Sequence, residues 1–367
     1  MHEQRPLAPA HRALLAPLTL LALAAATRLP AQPPPEIVRG ITISTHTDGR
    51  EWGTESMSAT LRELRDLGAN WVAIHPYARI DADGSVRPRG LDELARHPTH
   101  LRHPIDEAHR LGLSVLVKPH LAYWGSPFAW RGAIDFGADA AAWQRFFATY
   151  EAWVLRLAEV CSDADGLAVG TELDGTIQHE AEWRRIIAGV RARTDAALTY
   201  ASNWTDYRRI GFWDALDAIG IQAYFPISES DSPTAAELER GWAAHMAQLR
   251  SFAARHDRRI VFTELGYNQS FAAAKSPWRY ETDGPAAEPL QVLCMRTALE
   301  AVESEPLVAG VFLWKWFPAP RQVGRNFQLA TPRMRRLLAD LWRWPGPQPS
   351  PERSNLRQPR AGDPGVE

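Results

Sequence analysis

The sequence predicts a single-domain (β/α)8 barrel of the TIM type, in the α/β class. Short apolar runs rich in β-forming residues alternate with longer amphipathic helical patterns along the chain. Eight such runs favour a closed parallel barrel over an open doubly wound sheet. Glycine follows a helical pattern in DLGAN (66–70) and RLGLS (110–114), as expected where a loop leads from a helix to a strand.

The predicted strands are apolar runs that end in polar or aromatic residues. In chain order they are 38–44, 70–76, 113–120, 166–172, 197–203, 217–224, 259–264 and 308–316. The helical patterns between them carry apolar residues at three- and four-residue spacing. They are 57–68, 104–112, 141–163, 179–193, 236–256, 290–304 and 334–344.

Both ends of the chain differ from this body. Residues 1–31 combine a weakly basic start with an apolar run at 13–26, which predicts a secretory signal and a secreted or periplasmic protein. The apolar run is shorter than the roughly 20 residues of a spanning helix, so we expect no integral membrane association. Residues 32–36 form a Pro-rich linker, 37–344 the barrel domain and 345–367 a disordered, Pro-rich tail.

Composition and charge exclude several functional classes. The 367 residues are 45% hydrophobic and 23% charged with a formal net charge of -2, so no nucleic-acid partner is indicated. GxGxxG and GxxxxGK[ST] are absent, which removes the usual nucleotide-binding interpretations. Cys161 and Cys294 lie in no metal-ligand spacing, and we expect two buried thiols, with a disulfide left open. We expect a monomer.

Two predicted strands end in a glutamate. GLAVGTE ends at Glu172 and RIVFTE at Glu264, on predicted strands four and seven. Because the carboxyl ends of parallel strands open onto one face of a barrel, both side chains should reach the same mouth. Glycosidic bond cleavage needs two carboxyl groups in unlike environments. We therefore interpret this pair as the catalytic residues of a retaining glycosidase, a chemistry that requires no metal or organic cofactor.

Other strand ends, and the long loop at 121–140, supply side chains suited to a polysaccharide or oligosaccharide substrate. Sugar hydroxyls need hydrogen-bonding partners, and the C–H face of the ring needs an aromatic surface. A tyrosine at the end of strand six should donate a hydrogen bond to Glu264 and keep it ionised. The candidate substrate-binding residues are His75, Lys118, His120, Trp124, Asn203, Tyr224, Trp314 and Trp316.

Eight phrases occur in order between about 39 and 318: RGITIST, NWVAIHPYA, VLVKPHLAYW, GLAVGTEL, LTYASNWTDY, IGIQAYFP, FTELGY and GVFLWKWFP. Together they resemble glycoside hydrolase family 113. The resemblance implies an endo-β-mannanase acting on β-1,4-mannan or manno-oligosaccharides, with Glu172 as acid/base and Glu264 as nucleophile. The wider clan has Asn directly before the acid/base. Here that residue is Thr171, which leaves the sugar specificity open.

Two alternatives stay open at this point. A metal-dependent barrel hydrolase could use His46, His75, His120 and Asp174, although the usual HxH pair after strand one is absent. A non-catalytic carbohydrate-binding barrel would keep the aromatic pocket without turnover. The presence of both glutamates argues against this second alternative.

Overall fold

The structure, a computed structural model, describes residues 36–46, 48–88, 98–318 and 327–342. The expected secretory signal, the linker except Glu36 and the Pro-rich tail lie outside the described residues. Within these ranges no helix combines the length and the apolar character that a bilayer crossing would need.

Eight parallel strands close into a barrel, which confirms the predicted fold class. Each strand pairs with its neighbours in sequence, and the eighth strand pairs with the first. The strands are β1 (Val38–Ile43), β2 (Trp71–Ile74), β3 (Ser114–Val117), β4 (Gly166–Thr171), β5 (Ala197–Asn203), β6 (Ile219–Gln222), β7 (Ile260–Leu265) and β8 (Val308–Trp316).

Amphipathic helices surround the barrel and bury their apolar faces against the strands. They are α1 (Glu55–Asp66), α2 (Thr99–Arg110), α3 (Ala140–Val160), α4 (Glu180–Arg191), α5 (Ala235–His256), α6 (Glu288–Glu303) and α7 (Pro332–Trp342). Between β5 and β6 the chain forms two short 3₁₀ turns, Tyr207–Arg209 and Trp213–Ala215. The sequence likewise shows no helical pattern there.

The structure adds a three-stranded sheet that the sequence analysis did not predict. Its strands are Val86–Pro88, Tyr77–Ile80 and His120–Ala122, in that spatial order. The predicted strand 113–120 is therefore wrong at its end, since β3 stops at Val117 and His120 begins a strand of the small sheet. Two residues lie between them, Lys118 and Pro119, and the proline has no N–H to continue the barrel ladder.

The barrel interior is filled by side chains from alternate positions of the strands, including Trp71, Leu116 and Phe312. Gly40 on β1 lies directly against the Phe312 ring, where a Cβ atom would be 2.3 Å from a ring carbon. Cys161 and Cys294 are buried and unpaired, as expected. Burial raises the pKa of both thiols to about 12, so neither is a ready nucleophile.

Candidate active site

Both strand-end glutamates line one cavity of about 380 Å³ at the mouth of the barrel. Glu264 is the second-last residue of β7, and Glu172 directly follows β4. The backbone of Glu172 is left-handed, with φ of 52°, a conformation that costs a non-glycine residue about 1 kcal/mol. Its N–H donates to the carbonyl oxygen of Ala201 on β5 at 2.8 Å, which holds this turn in place.

Glu264 is fixed by hydrogen bonds to both of its carboxylate oxygens. Lys118 donates from Nζ to Oε1, and the same ammonium donates to the carbonyl oxygen of Thr263 at 3.0 Å. Tyr224 donates from Oη to Oε2 at 2.7 Å, which is the contact expected from the sequence. Only 5% of the Glu264 side chain is exposed. The carboxylate is thus held in one orientation, as a nucleophile must be.

Glu172 has a different environment. The nearest cation is Arg131, whose Nη1 lies 3.7 Å from Oε2, and 19% of the Glu172 side chain is exposed. Burial raises the pKa of Glu172, Arg131 opposes this and the charge of Glu264 adds to it. The two carboxyl groups therefore differ: Glu264 is hydrogen-bonded and ion-paired, whereas the pKa of Glu172 is raised, first of all by burial. Such a difference is what an acid and a nucleophile need.

Two buried histidines, His75 and His120, pack against each other at the cavity, and His120 lines it. Their ring centroids are 4.9 Å apart, and both pack against Trp314, at 5.1 and 5.7 Å. Burial lowers the pKa of both rings, and the neighbouring cations lower it further. His120 Nε2 is 3.6 Å from Oε1 of Glu264. Neutral rings here leave Lys118 as the cation that pairs with Glu264.

The structure brings together half of the predicted substrate-binding residues. His120, Asn203, Tyr224 and Trp314 line the cavity with the two glutamates. His75 and Lys118 are fully buried and lie behind it. Trp124 lines a neighbouring cleft and is 54% exposed. Trp316 is buried, with the Arg335 guanidinium 5.1 Å from its ring, and does not line the cavity.

Sequence reasoning missed several residues that line the cavity: Arg131, Trp204, Trp278, Tyr280 and Phe327. Trp204 and Trp278 stack with their ring centroids 5.7 Å apart. Trp204 directly follows Asn203, so its position after β5 was available as a signal. Trp278 and Tyr280 lie in the long connection between β7 and α6, where no strand end marks them.

The ligand set of the metal-dependent alternative does not assemble. The His46 ring stacks on Phe317 at 4.5 Å between centroids, and Asp174 is buried in the 3₁₀ turn after β4. Burial raises the pKa of Asp174 to about 8, and the charge of Asp206 contributes. Among the described residues, no three His, Cys, Asp or Glu side chains are grouped as metal ligands.

A closed parallel barrel with two unlike carboxyl groups in an aromatic mouth defines the class of barrel glycosidases. A family model described as Glycoside Hydrolase Family 113 matches residues 41–324. The chain belongs to this family, and the family resemblance drawn from the sequence is confirmed. A search of curated protein sequences finds no match.

Solved structures of similar fold include members of this family. A family 113 β-mannanase of Alicyclobacillus acidocaldarius, in complex with ManMIm, has 25% identity and a TM-score of 0.72. The match covers 84% of this chain and 97% of that one. A family 113 β-1,4-mannanase has 21% identity and a TM-score of 0.73, covering 84% and 99%. A family 5 mannosidase of Rhizomucor miehei shares the fold at 10% identity and a TM-score of 0.56, covering 84% and 92%.

Proposed function

We propose that this protein is a retaining endo-β-mannanase that cleaves β-1,4-mannan or manno-oligosaccharides. The observation that carries the proposal is the pair of glutamates in one cavity with unlike partners, Lys118 and Tyr224 at Glu264 and Arg131 at Glu172. The similarity to a β-mannanase that covers most of both chains supports mannan as the substrate class.

The proposed mechanism is a double displacement. In the first step Glu264 attacks the anomeric carbon, while the proton of Glu172 passes to the glycosidic oxygen and the C–O bond breaks. In the second step the Glu172 carboxylate takes a proton from water, whose oxygen attacks the anomeric carbon and releases Glu264.

The cavity walls supply a surface for the sugar ring. Tyr224, Trp314 and Phe327 pack together as an apolar cluster next to the glutamates. Trp314 is held from behind by Lys118, whose Nζ lies 4.9 Å from the ring centroid. An aromatic face fixed in this way suits the C–H surface of a pyranose beside the nucleophile.

A second cleft, of about 890 Å³, supports cleavage within a polysaccharide. Its lining includes Tyr77 and Trp124, and Tyr123, the residue before Trp124, lines the catalytic cavity. The residues that line this cleft lie in the connections after β1, β2 and β3. The stacked Trp204 and Trp278 lie in the connections after β5 and β7. In an eight-stranded ring β1 and β5 lie opposite each other, so a glycan crossing the mouth meets aromatic side chains on both sides.

The test of the function is hydrolysis of mannopentaose, with cello- and xylopentaose as comparison substrates. We expect activity on the manno-oligosaccharide and a first-formed β-anomer by ¹H NMR, as retention requires. Initial release of the α-anomer would exclude Glu264 as a nucleophile. Equal rates on all three sugars would contradict mannan specificity.

We expect Glu172→Ala to lower the rate on mannopentaose by about 10²- to 10⁴-fold, the usual contribution of a general acid/base. Dinitrophenyl β-mannoside should still form the glycosyl-enzyme, because its leaving group needs no proton. Azide should then release a β-mannosyl azide, measured by NMR. The matched control is Glu180→Ala on the surface of α4, and an α-configured azide product would contradict the assignment.

We expect Trp124→Ala to raise KM for mannan about 3- to 10-fold, since a stacking contact contributes about 0.5–1.5 kcal/mol. The kcat on mannotriose should not change. Phe271→Ala is the matched control, because Phe271 is 53% exposed and lines neither cavity. Unchanged kinetics on mannan in Trp124→Ala would remove the second cleft from the substrate path.

A further inference from the structure

Arg131 is a nearly buried cation beside Glu172. It belongs to a 3₁₀ turn, Arg131–Ala133, in the long connection between β3 and α3. Its side chain is 11% exposed and lines the catalytic cavity. Nη1 lies 3.7 Å from Oε2 of Glu172, outside hydrogen-bond distance, whereas Lys118 bonds directly to Glu264. The nearest cation therefore bonds directly to Glu264 but only approaches Glu172.

The backbone fixes Arg131 relative to Glu172. The turn that holds Arg131 packs on the turn Asp174–Thr176, which follows Glu172. A Cβ atom on Gly175 would lie 2.3 Å from the carbonyl oxygen of Ile134, so only glycine permits this approach. A Cβ atom on Gly132 would lie 2.2 Å from the Trp130 ring. The two turns therefore pack closely, which fixes the backbone of Arg131 relative to that of Glu172.

We propose that Arg131 is a positioning residue that holds the Glu172 carboxylate formed in the first step of the reaction and directs it to the water of the second step. This inference rests on the proposed function. As the proton leaves Glu172 for the glycosidic oxygen, a negative charge develops in a site that is largely closed to solvent. A fixed guanidinium at close range stabilises that charge without further movement.

Several other groups face Glu172. Lys118, which directly follows β3, is a second cation, and Gln222 on β6 is a neutral amide. Both lower the pKa of Glu172 less than Arg131 does. Glu264 on β7 and Asp174 are acidic neighbours, and the phenols are Tyr77, Tyr200, Tyr224 and Tyr280. Burial raises the pKa of Glu172, and Arg131 is the strongest group that lowers it. Loss of Arg131 should therefore raise that pKa further.

The experiment compares Arg131→Met and Arg131→Lys with the unmodified protein. In the pH dependence of kcat/KM on mannopentaose, the pKa of the alkaline limb should rise by about 1 pH unit in Arg131→Met. This is the size expected for losing a cation within about 4–6 Å of the carboxyl group. The direction follows because a raised pKa keeps the general acid protonated to higher pH. We expect kcat/KM at neutral pH to fall about 10- to 100-fold, and Arg131→Lys to keep the limb in place.

Two further measurements separate positioning from a general loss of structure. In Arg131→Met the rate of glycosyl-enzyme formation from dinitrophenyl β-mannoside should change less than threefold. Hydrolysis of the glycosyl-enzyme should slow, and the initial burst of released dinitrophenol should grow. The matched control is Arg296→Met on α6, which removes a surface arginine and should leave both profiles unchanged. Equal losses on both substrates, or an unmoved alkaline limb, would overturn the role of Arg131.

A readout independent of turnover completes the test. Glu172 is titrated by NMR of ¹³C-labelled glutamate carboxyl groups, with Glu172→Gln to assign its signal. The pKa should be about 1 unit higher in Arg131→Met, and an unchanged value overturns the inference. Absence of glycosidase activity in the unmodified protein would overturn the proposed function. The titration would still decide whether Arg131 controls the charge of Glu172.

Discussion

Glu264→Gln is expected to lower kcat/KM on manno-oligosaccharides by at least about 10⁴-fold, the scale of losing a covalent nucleophile. The glutamine amide has almost the shape of the carboxylate and its oxygen can still accept from Lys118 or Tyr224. It cannot attack the anomeric carbon. The loss should therefore appear in the rate with little change in substrate binding, measured by initial rates and by calorimetric binding of mannotriose.

The matched control is Glu305→Gln. Glu305 is also a buried glutamate in an ion pair, with Arg250 at 2.6 Å, but it precedes β8 and lies at the opposite end of the barrel. This variant should lose stability and keep kcat. If Glu264→Gln retained more than about 1% of the activity, Glu264 would not be the nucleophile.

The sequence predicts the barrel well because its strands are buried on both faces. Continuous apolar runs such as GLAVGT and IVFT stand out from the surface helices, and their polar last residues mark the mouth. The order of strands then follows from chain order in a closed ring. The sequence alone therefore predicts that Glu172 and Glu264 reach one cavity.

The partners of these glutamates could not be predicted in the same way. Lys118 ends a strand, which made it a candidate for substrate binding, yet the structure places it under Glu264 as a buried ion pair. That contact joins residues 146 positions apart and depends on how the ring closes. Arg131 lies in a loop without periodicity, and its place depends on close packing at Gly132 and Gly175.

The two tryptophans of β8 show where the alternation of side chains between the two faces of a strand breaks down. Trp314 and Trp316 should share one face of a regular strand. In the ladder with β1, however, Thr42 pairs with Trp314 and the next residue, Ile43, pairs with Trp316. This irregularity skips one residue. Trp314 consequently lines the cavity, while Trp316 joins the core between strands and helices.

Lys118→Met is expected to lower the free energy of unfolding by about 3–5 kcal/mol at neutral pH, the usual cost of breaking a buried ion pair on one side. Methionine fills the space of the lysine stem and leaves the buried Glu264 carboxylate without its ion-pair partner. Tyr224 alone then donates to it. The measurement is urea unfolding followed by tryptophan fluorescence, with the change in midpoint read at constant slope.

The double variant Lys118→Met with Glu264→Gln distinguishes a lost charge pair from lost packing. Both charges are then absent, so the double variant should regain most of the stability that Lys118→Met loses. Glu264→Gln alone should cost less than Lys118→Met, because burial lowers the pKa of Lys118 and lets the unpaired amine become neutral. Additive losses in the double variant would mean that the two side chains are not coupled, and would contradict the ion pair as the support of the proposed nucleophile.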